Sequence, residues 1–397
     1  MDITIRNITD DDREETVRVR RYAFGNSSSA PATPEEAAAV TAEDTVAAFD
    51  GGRMAGTLTC FTAPQVIRGV PKPMAGVSAV ATDPDYRNRG VAREMMKAAF
   101  AMAHERGDAV SMLLPFKESF YARFGYVSGN SHLVVKFPLE AIRHVAPPPG
   151  YEYRTVPATE GWTLYSEAEA ALTPRDGRHH GQAQPRFSAG QVAAWFKEAL
   201  VVTVSKDGRT VAAALYKKTG YMETGELVAH DAVWEDEGAR AALFAFFLRH
   251  RDQIGFVKLP FSPAENFQRY LRDVPAPLTV TVRQLPWMVR VLDVVPATTA
   301  LPAGPAGELA FAVVDEWCPW NNGAFAVTSD GARLAARLYE GRPELTFDVR
   351  GLTALVYGTH PPERVAAEGW LRGAAPEVLG LLSAWFPPLP LFNTFHF

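Results

Sequence analysis

One succession of elements occurs twice in this chain, and nothing else in the sequence restricts the possible fold as much. Residues 45–61, "TVAAFDGGRMAGTLTCF", read as strand, Asp50-Gly51-Gly52 turn and strand. "GVSAVATDP" is a short strand ended by Pro84, and "GVAREMMKAAFAMAHERG" is a helix stopped at Gly107. "AVSMLLPF" is the strand that follows. Residues 200–261 repeat the order. "LVVTVSKDGRTVAAALY" gives strand, Asp207-Gly208 turn and strand, "ELVAHDAVW" a strand, "EGARAALFAFFLRHRDQIG" a helix and "FVKLPF" a strand. Both copies close on Leu-Pro-Phe, at Leu114-Pro115-Phe116 and at Leu259-Pro260-Phe261. A unit this large, copied once, is a duplicated α/β domain and not a solenoid repeat. The first helix is expected to bury Val91, Met95, Ala98 and Met102, which recur at helical spacing.

After "QLPWMVRVLDVV" the pattern changes. Strands in "GELAFAVVD", "GAFAVTSDG" and "ELTFDVRGLTALVYG" precede helices in "PERVAAEGWL" and "PEVLGLLSAWF", which describes an α+β unit. The expected division is therefore 1–147, 148–285 and 286–397, with the proline-rich "HVAPPPGYEY" at 144–153 as the link between copies. "PRDGRHHGQAQPR" at 174–186 reads as a mobile polar loop. His179 and His180 are adjacent, so their side chains diverge and do not make a metal pair. No metal is expected.

Composition closes off several classes. Of 397 residues, 47% are apolar and 21% charged, which supplies several cores and excludes a disordered chain. A net charge of −5 opposes a role in binding nucleic acid. The acidic start "MDITIRNITDDDREE" has no apolar signal region, and no stretch is long enough to cross a bilayer. The two cysteines, Cys60 and Cys318, form neither a disulfide framework nor a zinc set. The expectation is a cytoplasmic protein with two buried thiols and no membrane partner.

"VATDPDYRNRGVAREM" is the most informative segment for function. A strand ends, a turn carries Arg87, Asn88, Arg89 and Gly90, and a helix begins. Unpaired backbone N–H groups at a helix start, with the helix dipole, make an anion site. Gly90 allows backbone to approach a phosphate closely, and the arginines add charge-assisted contacts. The second copy has Glu235-Asp236-Glu237-Gly238 at the same place, so its charge is inverted and only the first copy is expected to hold a phosphate ligand.

Arg87-x-x-Gly90-x-Ala92 after a strand resembles the pyrophosphate loop of the GNAT acyltransferases, which bind acetyl-CoA. "FYARFGYV", "PWMVRVLD" and the aromatic close of "LPLFNTFHF" extend the likeness to the enhanced intracellular survival (Eis) acetyltransferases, over essentially the whole chain. The resemblance implies two tandem GNAT-like domains followed by a domain similar to sterol carrier protein. It also implies acetyl-CoA as co-substrate, a homo-hexamer, and primary-amine acceptors such as aminoglycosides, polyamine-like compounds or lysines. Carried over residue by residue, it puts thioester positioning on the backbone of Val80, Ala81 and Thr82. Arg87, Asn88, Arg89, Gly90, Val91, Ala92 and Arg93 fall on the phosphates, and Phe116 and Lys117 on the pantetheine side. Tyr121, the first Tyr of "YARFGY", falls on the acid that protonates the thiolate, with Tyr126 as a packed aromatic. The general base is the last residue's carboxylate in that family, which falls here on Phe397. Members that favour polycationic drugs have an acid just before it. This chain has His396, which weakens capture of polycations. A second reading is lipid binding by the third unit, whose core Trp317, Trp320 and Trp370 are expected to fill.

Overall fold

The computed structural model describes residues 3–25, 30–129, 131–143, 146, 149–272, 277–282 and 286–395. Strands β1 (Ile3–Asn7), β2 (Thr45–Asp50), β3 (Arg53–Ile67), β4 (Val70–Thr82), β5 (Val110–Leu113) and β6 (Val127–Ser128) come from the first copy. β7 (Leu133–Pro138) follows. The second copy supplies β8 (Tyr151–Pro157), β9 (Leu200–Lys206), β10 (Arg209–Thr219), β11 (Met222–Trp234), β12 (Ile254–Phe261) and β13 (Thr279–Val282), and then comes β14 (Met288–Val291). The two resulting sheets have the orders β1-β2-β3-β4-β5-β14-β6 and β13-β7-β12-β11-β10-β9-β8.

The copies thus exchange strands. β7 lies between β12 and β13 of the second sheet, and β14 lies between β5 and β6 of the first. The sheets do not divide where the sequence units do: β7 falls within 1–147 and β14 within 286–397. Periodicity reports local conformation, whereas the pairing partner of a strand is set by contacts distant in sequence. β14 occupies an interior position, and Met288, Val289 and Val291 are all buried there.

In the first copy the helix Val91–Glu105 packs on the sheet through Val91, Met95, Met96, Ala99, Phe100 and Ala103. Ala98 and Met102, expected on that face, are only half-buried. The true stripe includes Phe100, whose larger side chain turns the helix toward the core.

The third sheet contains β15 (Gly307–Val314), β16 (Gly323–Ser329), β17 (Leu334–Leu338), β18 (Thr346–Asp348) and β19 (Leu371–Arg372), in the order β17-β16-β15-β18-β19. Its core is filled by Phe311, Phe325, Phe347, Trp385 and Phe386, and the cavity lined by Phe311, Phe347, Trp385 and Phe386 measures about 10 Å³. That is about the space of one water and accommodates no lipid. Of the tryptophans expected there, Trp370 packs against this core, while Trp317 and Trp320 pack against that of the first copy. Trp317 meets Phe124 edge-on and donates to the Arg123 carbonyl at 2.6 Å, and Trp320 stacks on His104 and donates to the Leu292 carbonyl at 2.7 Å. Trp370 is half-buried between Arg350 and His360.

Arg290 fastens the third unit to the first sheet. It sits on β14, fully buried, with Nη2 on both Asp315 carboxylate oxygens at 2.7 and 2.6 Å and on Cys318 Sγ at 2.9 Å. Nη1 donates to the Phe124 carbonyl, and the guanidinium lies over the Phe100 ring. Gly125, at φ +83°, leaves room for it, since a Cβ there would overlap Nη1. Breaking a buried pair leaves a lone desolvated charge, which costs about 3–5 kcal/mol. Asp315→Ala should therefore lower stability by about that much in chemical denaturation, while Arg337→Ala, on the exposed pair with Glu308, should change it by less than about 1 kcal/mol.

Candidate active site

β4 and β5 run parallel, and their pairing covers only Met74 to Gly76 against Val110 to Met112. Beyond Gly76 the strands part, so among the described residues the β5-facing backbone of Val77 to Thr82 has no strand partner. On its other side β4 stays with β3, but the register jumps between Thr57 opposite Ala81 and Thr59 opposite Ser78. The bulge is centred on Ala79, at φ +51°. A left-handed alanine costs on the order of 1 kcal/mol, and such strain collects where a strand must present backbone to a ligand. Val80, Ala81 and Thr82 follow it into the gap.

The gap leads to the basic turn. Asn88 takes φ +61° and Gly90 φ +82°, and the helix begins at Val91 with Gly90 as its N-cap. Glycine has no capping side chain, and the first intrahelical bond is from Glu94 N to the Gly90 carbonyl. The N–H groups of Gly90, Val91, Ala92 and Arg93 are left without intrahelical acceptors. Arg87, Asn88, Arg89 and Arg93 are exposed around them.

The second copy closes the same place. Asp236 is the N-cap of the helix Glu237–Leu248, and its carboxylate accepts from Ala239 N at 2.7 Å. Glu235 pairs with Arg209 at 2.6 Å, and Glu237 with Arg240 and Arg269 at 2.8 and 2.7 Å. A capped, acidic helix start repels a pyrophosphate.

After β5, Phe116 is 69% exposed and Lys117 is exposed beside it. Both stand at the surface, where they are free to meet a ligand. Tyr121 lies in the short helix Glu118–Ala122, only 4% exposed, in the apolar cluster that also holds Val77 and Val80. Its hydroxyl has no hydrogen-bond partner among the described residues, and burial pushes its pKa up to about 12. Tyr126 differs: its hydroxyl is 2.6 Å from Ser111 Oγ, which itself donates to the Ala75 carbonyl at 2.8 Å. Tyr126 is satisfied inside the core, and Tyr121 retains a free proton.

His396 and Phe397 lie outside the described residues. The chain leading to them is fixed. Phe392 N donates to the His180 carbonyl at 2.7 Å, Thr394 N to Gln182 Oε1 at 3.0 Å, and Asn393 Oδ1 accepts from Ala183 N at 2.9 Å. Leu391 fills a slot opened by Gly129 and Gly181, where any Cβ would overlap it. The 174–186 segment, expected as a mobile loop, is thus a buried seat for the tail. His179, His180 and Gln182 are buried. Its polar residues bond one another, the tail and distant partners such as Asp231, Arg68 and Tyr357, and a polar sequence pattern does not reveal such pairing. Phe395 ends the described tail against Trp162, Tyr165 and Phe187, in a recess of about 400 Å³.

Pro185, Arg186 and Phe187 border both that recess and a wider cleft of about 900 Å³ between the first and second copies. The cleft reaches Ser78 and Ala79 at the bulge and is walled by Phe24, Phe61, Phe187 and Trp195. Sequence reasoning missed Arg20 on its floor and the network under the tail. Neither belongs to a local motif, and only folding brings the residues together.

Residues 4–128 match the acetyltransferase (GNAT) domain family, residues 178–291 match a second acetyltransferase (GNAT) domain family, and residues 291–392 match the sterol carrier protein domain family. An uncharacterized N-acetyltransferase of Streptomyces avermitilis is 25% identical over 351 residues, 84% of each chain. Another from that organism is 25% identical over 404 residues, 94% of this chain and 93% of its own. Among solved structures, a GCN5-related N-acetyltransferase from Anabaena variabilis superposes with TM-score 0.83 at 18% identity, and Eis1 from Mycobacterium abscessus with TM-score 0.79 at 19% identity. Each covers 100% of both chains. These likenesses establish the fold: tandem GNAT-like domains followed by a sterol-carrier-like domain.

The network under the tail makes stability depend on pH. His179 lies between Asp176 and Asp231, 3.1 Å from the latter, and Tyr165 donates to Asp231. Burial alone would depress the imidazole, but the two carboxylates outweigh it and raise its pKa from 6.5 to about 9. Burial, with Asp231 nearby, raises Glu169 from 4.5 to about 8. Both groups hold protons more tightly in the folded chain, so their contribution to stability falls as pH rises from about 5 through about 9, while His180, drawn down to about 3 by burial, contributes the opposite slope below about 6.5. Against the wild type, His179→Gln together with Glu169→Gln should remove the falling contribution, so the difference in melting temperature between the two proteins should shrink as pH rises toward about 9 in calorimetry.

Proposed function

We infer that this chain, an Eis-like N-acetyltransferase of GNAT type, carries an acetyl group from acetyl-CoA to a primary amine. The observation that carries this reading is the open helix start at Gly90, ringed by arginines, beside a strand whose backbone is freed into the mouth of a large cleft. The pyrophosphate is assigned to the amides of Gly90 to Arg93 with Arg87, Asn88 and Arg89. Pantetheine is assigned to the gap between β4 and β5 with Phe116 and Lys117 at its outer side, and the thioester to the backbone of Val80, Ala81 and Thr82. Amides that N–H-bond the thioester oxygen stabilise the oxyanion as it forms.

The unprotonated amine attacks the thioester carbonyl carbon. A C–N bond forms, the C–S bond breaks, the amine gives up one proton and the CoA thiolate gains one. Tyr121 is assigned as the donor. Its phenol stays protonated at neutral pH, and its proton is uncommitted. The amine's proton is assigned to the α-carboxylate of Phe397 on the family resemblance, with Phe395 already beside the cleft residue Phe187. The family resemblance supplies aminoglycosides, polyamine-like compounds and lysine side chains as the range of acceptors, of which His396 weighs against the polycationic ones, and the working form is assigned as a cytoplasmic homo-hexamer, which sedimentation equilibrium tests directly.

Titration calorimetry should find one CoA site per chain. Arg87→Glu with Arg89→Glu should abolish it, whereas Glu235→Gln with Glu237→Gln should leave it in place, and two equal sites would refute the assignment. Tyr121→Phe should lower kcat about 100-fold or more, the scale of general acid catalysis, with CoA affinity held. An α-carboxamide at Phe397 should lower kcat similarly, and normal turnover in either variant reassigns that proton.

A further inference from the structure

The cleft carries a charge pattern that an amine acceptor alone does not call for. Arg20, Arg106 and Arg186 line it, against Glu43 and Asp44. Arg106 is already engaged: it pairs with Asp44 at 3.2 Å and Asp108 at 3.3 Å and donates to the Cys60 carbonyl at 2.8 Å. Arg186 is exposed at the rim.

Arg20 is different. It projects from the helix Arg13–Ala23 and is partly buried, with its Nε enclosed. Its Nη2 donates to Thr59 Oγ1 at 2.8 Å and reaches Thr45 Oγ1 at 3.5 Å, both neutral acceptors. Its Nε is buried without a hydrogen-bond partner. Among the described residues no carboxylate lies within ion-pair distance of it, whereas the nearby Arg18 pairs with Glu15 and Asp83 and Arg21 with Glu36. Burial draws its pKa down to about 10. A desolvated guanidinium without a counter-charge is costly to keep. Its planar fork matches a carboxylate or phosphate group. The Thr59 hydroxyl holds Nη2 from the side and Nε is enclosed, so the guanidinium is positioned in advance and meets the cleft through its Nη groups.

We propose that Arg20 is the anion-recognising residue of the acceptor site, and that the acceptor is an amine that also bears a carboxylate or phosphate group. The proposal rests on the acetyltransferase reading of the cleft. In this arrangement the anionic end of the acceptor meets Arg20, its apolar body lies along Phe61 and Phe187, and its amine reaches Ser78–Ala79, next to Val80, Ala81 and Thr82, to which the thioester is assigned. An acceptor without the anion leaves Arg20 unpaired, and a site built around a polar partner rejects an analogue that lacks it far more strongly than a missing methylene. Amines that are purely cationic are disfavoured by the same charge.

Matched pairs of acceptors test this: phenylalanine with 2-phenylethylamine, lysine with cadaverine, and phosphoethanolamine with ethanolamine. Thiol release from acetyl-CoA gives kcat/KM for each, and calorimetry on the CoA-loaded protein gives binding without turnover. The anionic member of at least one pair should lead by about 100-fold or more, and the pair that does so separates carboxylate from phosphate. Arg20→Gln should erase that lead, and Arg20→Lys should retain part of it, with CoA affinity and melting temperature unchanged. Equal kcat/KM within every pair overturns the proposal, as does an Arg20→Gln loss shared equally by both members. Arg20-dependent binding of the anionic member with no thiol release sustains the anion site and overturns amine acetylation instead. Absence of both binding and turnover overturns the anion site.

Discussion

Buried backbone must be hydrogen-bonded, and the short strand β5 meets that demand from two directions. Toward β4 it pairs through only three residues, while on its other side β14 pairs with its whole length, from Val110 opposite Val291 to Leu113 opposite Met288. Because β14 holds β5 along its whole length, β4 can leave it after Gly76 without loosening β5 from the sheet. The gap, the bulge at Ala79 and the approach to the cleft all follow from that division. A strand drawn from beyond the second copy therefore shapes the site of the first.

The second copy shows what the same framework becomes without its ligand chemistry. Its helix start is closed by the Asp236 carboxylate, and its acids are tied to arginines on the surface. What it contributes is a wall and a seat. Phe187 and Trp195 face the cleft, and the 174–186 segment receives the tail through His180, Gln182 and Ala183.

Much of this was legible in the sequence because it is local. The order of elements, the turn at Arg87 to Gly90 and the inverted charges at Glu235 to Glu237 are read within a few residues of one another. Tyr121 was legible only through the motif around it, and the missing partner on its hydroxyl required the structure. The strand exchange was not legible, since the patterns of β7 and β14 give their conformation but not their neighbours. The 174–186 segment misled for a related reason. His179 looks like a surface residue until Asp176, Asp231 and Phe392 are brought around it. Arg20 sits in an ordinary amphipathic helix, and nothing near it in sequence distinguishes it from Arg18 or Arg21.

The strand exchange also sets a timetable for synthesis. β6 ends at Ser128, but the strand that fills the space beside it ends at Val291. Roughly 160 residues emerge in between, which at ~5–20 residues per second takes on the order of 8–30 seconds. Throughout that interval the nascent first sheet has an open edge at β5, flanked by apolar side chains and offering unpaired backbone groups to any other extended chain. Neither α/β domain can be finished before the other is begun. The ribosome thus releases them as one folding unit, and the usual independence of tandem domains is lost.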